Sequence, residues 1–152
     1  MSIFNGINTS GSALTAQRLR MDTISSNIAN AETTRATINE DGEFEPYRRK
    51  TVSFQEQGQS FANQLSRVRG RQGNAGSNGV KVASINEDEE PFVMVYNPSH
   101  PDANDEGYVE MPNVDPLQEM VDLMSSTRSY EANVTALNAN KGMLMKALEI
   151  GR

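Results

Sequence analysis

The chain has 152 residues, of which 36% are hydrophobic and 6% aromatic, and this is little apolar material for a domain that must bury a core of its own. The net charge of −6 argues against nucleic acid as the main partner. The lack of cysteine excludes disulfides, a cysteine-ligated zinc site and a thiol nucleophile. Residues 1–31 and 115–152 are nearly neutral, so the acidic excess lies between two ends that can pack closely against other copies.

The N-terminal segment predicts a helix with one narrow apolar stripe. From residue 3 to residue 28, positions separated by alternate steps of four and three are apolar in six of eight cases, the spacing of a coiled-coil seam. Ser10 and Gln17 interrupt the stripe, and Gly6 and Gly11 each weaken the first turns by about 1 kcal/mol relative to alanine. Asn27 and Asn30 are expected to cap the end of this helix and turn the chain outward. The apolar positions are Ile3, Ile7, Leu14, Met21, Ile24 and Ile28.

The middle of the chain predicts a small β-rich insert. Residues alternate between apolar and polar in Tyr47–Phe54 and in Gly79–Ile85, and Phe92–Tyr96 is a third strand that ends at Asn97 and Pro98. Residues from about 55 to 78 include a segment rich in glycine, serine and asparagine, which indicates a mobile loop.

The C-terminal segment predicts a second, longer helix over residues 115–150. Asp115 is a typical N-cap, Pro116 suits the first helical position, and Gln118 stands where a capping box places Glu or Gln. At 1.5 Å per residue this helix would be about 50 Å long. Its stripe is interrupted by Thr127 and Lys141. The apolar positions are Leu123, Tyr130, Val134, Leu137, Leu144 and Leu148.

These elements predict an α+β chain in which long N- and C-terminal helices pair as an antiparallel coiled coil around a small β-rich insert. We expect an N-terminal assembly helix over residues 1–31, the insert over 32–114, and a C-terminal assembly helix over 115–152. The first ten residues have neither a basic segment nor a continuous apolar run, so we expect no cleavable secretory signal. The longest apolar run, Phe92–Tyr96, is far too short to span a membrane.

Candidate chemistry is sparse. His100, the single histidine, lies between prolines, and a rigid turn explains it better than catalysis, because the neighbouring Ser99 is too close in sequence to form a Ser–His pair. Asp102–Gly107 resembles a calcium loop only in part: Asn113 stands where the bidentate Glu should be, so the segment is interpreted as an acidic turn. No catalytic residue, metal site or cofactor is expected.

Two charge clusters have structural explanations. Glu87–Glu90 is interpreted as the solvated tip of a hairpin. Arg67–Arg71 would fit nucleic acid by charge, but it has no interleaved aromatic residues to stack on bases. A flexible loop that touches an acidic neighbour is the better interpretation of this basic cluster.

Several segments together resemble the flagellar axial proteins. The motif Ser26–Thr33, with Asn27, Asn30 and Thr33, is similar to a motif near the N-terminus of that whole class. Within this class, the middle and the C-terminal helix resemble the proximal rod family. These segments distinguish the chain from the proteins of the hook and the distal rod. The segments that carry this narrower resemblance are Pro46–Lys50, Gly79–Val82, Tyr96–Asn104, Ser129–Val134 and Lys141–Leu148.

The resemblance implies a structural subunit of the helical rod that runs from the inner-membrane ring to the hook. It implies export, unfolded, through the flagellar type III apparatus, and a position outside the inner membrane, in the periplasm if the cell has two membranes. It also implies assembly with copies of itself, other proximal rod proteins, the rod-base adaptor and the distal rod. The alternative is a helical scaffold or adaptor of another secretion-type assembly, with a soluble dimer as its working form.

Overall fold

A computed structural model of the chain describes residues 4–39, 42–57 and 79–151. Both predicted helices are confirmed, as α1 over Asn5–Ala29 and α2 over Pro116–Ile150. The described strands are β1 Thr37–Ile38, β2 Phe44–Glu45, β3 Lys50–Glu56, β4 Val80–Glu87, β5 Val93–Tyr96 and β6 Tyr108–Met111. Residues 58–78 of the predicted mobile loop, with the basic cluster Arg67–Arg71, lie outside the described residues, as does Ile3 at the start of the predicted stripe. The start of that predicted loop is wrong, because Gln55 and Glu56 continue strand β3.

The described strands form three separate pairs, β1–β2, β3–β4 and β5–β6. The pairs β1–β2 and β5–β6 are antiparallel, and Tyr96 lies opposite Tyr108 in the latter. The hairpin predicted around Glu87–Glu90 is wrong, because β4 and β5, which flank this segment, belong to different pairs. Asp88 instead donates its backbone N–H to the Arg49 carbonyl at 2.8 Å, so the segment is tied back to β3's start.

The cap of α2 is formed as its sequence predicts. The Asp115 carboxylate accepts a 2.9 Å hydrogen bond from the Leu117 N–H, and its carbonyl accepts one of 3.0 Å from the Glu119 N–H. Pro116 is the first residue of the helix. An N–H at this position has no intrahelical partner, so proline costs no hydrogen bond here. The helix is 35 residues long and ends directly before Gly151.

The two helices are antiparallel neighbours. Near the start of α1, the Asn140 side chain lies against Gly6, so closely that an added Cβ would be 3.0 Å from its Nδ2. Near the end of α1, the Asn27 amide donates to the Glu119 carboxylate at 3.0 Å. Since rising numbers along α1 meet falling numbers along α2, the chain is an α+β fold with antiparallel terminal helices, as predicted.

Contacts within the chain define two compact units. The first comprises Met1–Arg20, Ser53–Ser84 and Ser126–Arg152, and the second comprises Met21–Val52 and Ile85–Ser125. In the first unit, the Ser12 hydroxyl accepts the Val80 N–H at 3.0 Å and so fixes the start of β4. In the second unit, the buried hydrophobic residues are Ile24, Tyr47 and Val109.

The covered stripe of α2 alternates between polar and apolar side chains. Every position from 119 to 144 along steps of four and three is buried or half-buried. A seam with a polar residue at every second position stabilises helix pairing less than a fully apolar one, because the cost of burying polar groups offsets much of the free energy gained from apolar burial. In order, the stripe is Glu119, Leu123, Ser126, Tyr130, Asn133, Leu137, Asn140 and Leu144. Neither described helix has an apolar stretch long enough to cross a membrane.

Candidate functional site

The turn that ends α1 is held by a short series of hydrogen bonds. The Asn30 side chain donates to the Ser26 carbonyl at 2.9 Å, which satisfies one of the carbonyls left free at the helix end. The Thr33 hydroxyl donates to the Asn30 side-chain oxygen at 3.3 Å, and the Thr33 carbonyl accepts the Tyr47 N–H at 3.1 Å. Asn30 and Thr33 therefore turn the chain and attach the turn to the segment that leads into β3.

Asn27 has a different place from the cap that the sequence suggested. Its side chain is 1% exposed and makes four hydrogen bonds, which use both amide hydrogens and both lone pairs of the oxygen. The amide donates to the Lys50 carbonyl at 2.9 Å and to the Glu119 carboxylate at 3.0 Å. The oxygen accepts the Tyr47 hydroxyl and the Lys50 N–H, each at 3.0 Å. Asn27 thus joins α1, β3 and α2 at one point.

Arg49 and Glu119 complete the group of hydrogen-bonded side chains around Asn27. Glu119 is 1% exposed, and its second oxygen accepts the Arg49 Nε–H at 2.6 Å. The same guanidinium reaches Asp88 at 3.5 Å and Asp122 at 3.7 Å. Burial by itself would lower the pKa of Arg49, but the hydrogen bonds and charges of Glu119 and Asp88 outweigh it, so this pKa is raised. Arg49 is therefore a permanent cation beside the buried Glu119 side chain.

The backbone around Arg49 is fixed as well. Its N–H donates to the Asn113 side-chain oxygen at 2.8 Å, and the Asn113 amide donates to the Glu90 carbonyl at 3.2 Å. We call the set Asn27, Tyr47, Arg49, Asn113 and Glu119 the polar hub. Its members come from the end of α1, the start of β3, the segment before α2 and the first turn of α2. The hub can hold these elements at fixed angles, because each hydrogen bond has a direction.

Sequence reasoning did not find the hub. Arg49 falls within the predicted strand Tyr47–Phe54 and Glu119 within the predicted second helix, and no sequence pattern brings the two together. One signal was present: Glu119 lies four residues before Leu123, in phase with the seam of α2, and a carboxylate at a seam position needs a buried partner. Within the described ranges, no group of acidic or histidine side chains is arranged to hold a metal ion.

The residues predicted for the assembly interface are covered to very different degrees. On α1, Ile24 is buried, while Ile7, Leu14, Met21 and Ile28 are half-buried. On α2, Leu148 is 76% exposed and is not covered within the chain. The assignment of these residues to an interface remains a prediction. The half-buried members on α2 are Leu123, Tyr130, Val134, Leu137 and Leu144.

The segment around His100 is a hydrogen-bonded turn, the structural role expected for it. The His100 ring nitrogen Nδ1 accepts the Asp102 N–H at 3.1 Å, and the His100 N–H donates to the Asn97 carbonyl at 3.1 Å. Asp102 in turn accepts hydrogen bonds from the Thr34 hydroxyl, at 2.8 Å, and from the Arg35 guanidinium. The acidic turn therefore secures the chain that leaves α1.

Two family models match the ends of the chain. One, described as flagella basal body rod protein, matches residues 7–37, which hold most of α1 and the Asn30–Thr33 turn. The other, described as flagellar basal body rod FlgEFG protein C-terminal, matches residues 105–150, which hold β6 and α2. The paired terminal helices, with the hub that joins them to the insert, thus occur in a chain of the flagellar basal-body rod class.

Full-length relatives narrow the class to one family. The chain is 64% identical to the flagellar basal-body rod protein FlgC of Bacillus subtilis, with all of both chains covered. It is 43% identical to FlgC of Escherichia coli O6:H1, again over all of both chains, and 42% identical to FlgC of Borreliella burgdorferi over 99% of this chain and 98% of the other. The chain belongs to the FlgC family of flagellar basal-body rod proteins.

Proposed function

We propose that this chain is a structural subunit of the proximal rod of the bacterial flagellar basal body. The observation that carries the proposal is an imbalance in burial. Among the described residues, four hydrophobic side chains are buried, whereas twenty large ones are exposed. Water-exposed apolar surface on this scale marks a protein that completes its burial against partners. Whole-chain similarity to flagellar rod relatives favours the rod over a scaffold of another secretion-type assembly.

The outer side of α2 carries much of this exposed surface. Its first turns present a stripe at helical spacing, and its last turns are apolar on more than one side. Full burial of one such side chain stabilises an assembly by about 1.5–3 kcal/mol. If a neighbouring subunit covers a few of them, the free energy gained offsets the weak stabilisation that the polar seam provides. These residues are Leu117, Met120, Val121, Met124, Met143, Met145, Leu148 and Ile150.

Ordering coupled to polymerisation is the mechanism that these features support. A helix has an unfavourable nucleus and depends on packing for its stability, and every second position along the covered stripe of α2 is polar. Each subunit that joins the rod would bury the outer face of α2 against helices already in place. Contacts between different faces of identical subunits do not close into a ring when the rotation between subunits includes a rise, and they then build a helical tube.

The polar hub would set the direction in which the insert leaves this tube. Asn27 and Glu119 bond directly to each other, Asn27 bonds to Lys50 at the start of β3, and Glu119 bonds to Arg49 just before it. The insert therefore cannot rotate about the helix pair without breaking several of these hydrogen bonds. A drive shaft must transmit torque, so a fixed angle between helices and insert suits this role. No step of the role requires catalysis.

The partners and the route follow from the same proposal. The subunit is exported unfolded through the flagellar type III apparatus and assembles outside the inner membrane, in the periplasm of a cell with two membranes. It contacts copies of itself, other proximal rod proteins, the rod-base adaptor and the distal rod. The three-part division into residues 1–31, 32–114 and 115–152 assigns assembly to the helices and subunit identity to the insert.

The test introduces a charge into the half-buried seam. Leu137→Asp in cells that lack the native protein should leave export intact, because export uses the unfolded chain, and should abolish swimming in soft agar. Asn138→Asp is the matched control: it adds a carboxylate one residue further on, at an exposed position, and should swim. Normal swimming of the Leu137→Asp cells would show that assembly does not require the seam between the terminal helices.

A further inference from the structure

One cleft in the second unit combines acidic and apolar side chains. It has a volume of about 440 Å³, within the range of roughly 300–1,000 Å³ usual for binding sites. Carboxylates and apolar side chains both line it. The ones that carry the argument are Glu43, Phe44, Met94, Asp102, Tyr108 and Glu110.

The β5–β6 pair supplies one side of this cleft. Met94 lies opposite Glu110 and Tyr96 lies opposite Tyr108, so these four residues share one face of the pair. All four are exposed. On the other face Val109 is 2% exposed, whereas Val93 and Val95 are 52% and 42% exposed. A strand pair ordinarily turns its apolar side chains inward, and this one also presents a methionine and two tyrosines to solvent. The outward face is therefore built for contact.

The charges of the cleft are only partly balanced. Asp102 is neutralised by Arg35, whose hydrogen bond, together with one from Thr34, holds the pKa of Asp102 below its ordinary value. Glu43 and Glu110 have no cationic side chain against them within the described ranges. The Arg35 guanidinium already lies over the Phe44 ring, 5.2 Å from its centroid. The cleft thus presents Glu43 and Glu110 beside the exposed ring of Tyr108, a combination that suits an arginine, which pairs with carboxylates and stacks on aromatic faces.

We propose that this cleft binds the basic segment Arg67–Arg71 of a second copy of the chain. The segment places three arginines within five residues, the one such concentration in the sequence, and so complements the cleft in charge. It lies between Gln57 and Gly79, which are joined by a backbone hydrogen bond of 2.6 Å. About eleven residues lie on either side of its centre, so the centre can be at most about 36 Å from that hydrogen bond.

This inference rests on the proposed function, because it needs several copies of the chain side by side. Within a rod, the contact would add a lateral tie between inserts to the helix packing of the tube. It would be heterologous, since the segment of one copy enters the cleft of the next. Its strength would fall with salt, because its charges lie at the surface.

Disulfide trapping tests the proposal in assembled rods, since the natural chain has no cysteine. Two differently tagged chains, one with Glu110→Cys and one with Arg69→Cys, are expressed together, and basal bodies are isolated and oxidised. A disulfide-linked heterodimer is expected, at least tenfold more abundant than with Glu89→Cys in place of Glu110→Cys, an exposed acidic position outside the cleft. Incorporated chains without this dimer would overturn the inference and leave the rod function standing.

The choice of a second copy is tested by placing both cysteines in one chain. Linked dimers are expected, whereas a disulfide formed solely within single chains would overturn the assignment of the partner.

A binding assay tests the cleft without depending on rod assembly. The probe is a fluorescent peptide of residues 64–74, and the receptor is the full chain with Arg67, Arg69 and Arg71 changed to Gln, which removes its own competing segment. Binding measured by fluorescence polarisation should weaken about tenfold when the receptor also carries Glu43→Gln and Glu110→Gln. It should be unchanged by Glu87→Gln and Glu89→Gln. Equal binding by all three receptors, or none, would contradict the proposal.

Discussion

Replacement of Asn27 by alanine should destabilise the chain far more than its small change in volume suggests. The side chain makes four hydrogen bonds at a site that is 1% exposed. Its loss leaves the Lys50 N–H and carbonyl, the Tyr47 hydroxyl and one oxygen of Glu119 without these partners. A buried polar group without a partner costs about 1–3 kcal/mol, and more when it is charged.

These separate costs do not add in full, because Lys50 is half-buried and water can reach some of the groups that lose Asn27 as a partner. We therefore expect Asn27→Ala to lower the free energy of unfolding by about 3–5 kcal/mol. Small domains have about 5–15 kcal/mol in total, and this one has few buried apolar residues, so much of the helical signal should be lost near room temperature. The Glu119 carboxylate, with one of its partners gone, is the main reason for the large effect.

The assay is urea denaturation of the purified full chain, followed by circular dichroism at the helix band. Asn30→Ala is the matched control: the same change three residues on removes one hydrogen bond to the Ser26 carbonyl and a longer one from Thr33, at a half-buried position. It should cost about 1 kcal/mol. Equal losses for the two variants, or a loss below about 1 kcal/mol for Asn27→Ala, would refute the idea that Asn27 is the centre of the hub.

Three further predictions test other parts of the structure. Gly11→Ala should raise the free energy of unfolding by about 0.5–1 kcal/mol, because an added Cβ meets no atom within 4 Å. Gly79→Ala should lower it, because its Cβ would clash with the Ser12 side chain, and denaturation of both variants checks the opposite signs. Arg49→Lys should lower the free energy of unfolding by about 1.5–3 kcal/mol, since a single ammonium cannot reach Glu119, Asp88 and Asp122 together. The control Arg48→Lys, which loses a stacked contact with Phe92, should lower it less. Equal losses for the two variants would contradict the hub geometry. Arg35 and Thr34 lower the pKa of Asp102 below its unfolded value near 3.8, so their stabilisation is complete above that pH and is lost as the pH falls through the lowered pKa. The melting temperature of Asp102→Asn should therefore be below that of the native chain at pH 6, and the gap should narrow as the pH falls below 3.8; a constant gap would count against this pairing.

The helices could be predicted because their signals are local and repeated. The heptad spacing, Asp115 as a cap and Pro116 as the first helical residue all act within a few residues of one another, so the boundaries of α2 came out as observed. Strands β3, β4 and β5 were also found, at somewhat shifted ends. The strand β6, by contrast, has four residues between Gly107 and Pro112, too few for a clear alternation.

The polar hub could not be predicted in the same way, because its members are distant in sequence. Asn27 and Glu119 are 92 residues apart, and no periodic pattern indicates that they meet. The covered stripe of α2 presents a related difficulty, because its polar members carry no apolar periodicity. Its covered stripe includes Ser126, Asn133 and Asn140, whereas a search for the most apolar stripe selects positions such as Val134 and Leu148 instead. A polar position in the seam can be recognised only when the residue that it bonds to is known.

The exposed outer face of α2 decides between a self-contained chain and a rod subunit. The most direct measurement is an electron cryo-microscopy map of basal bodies from cells that carry this chain. Our account predicts that Met120, Met124 and Leu148, which are exposed in the single chain, are covered by helices of neighbouring subunits in the rod wall. A map in which the chain lies in the basal body but turns these side chains to solvent would contradict assembly through the terminal helices.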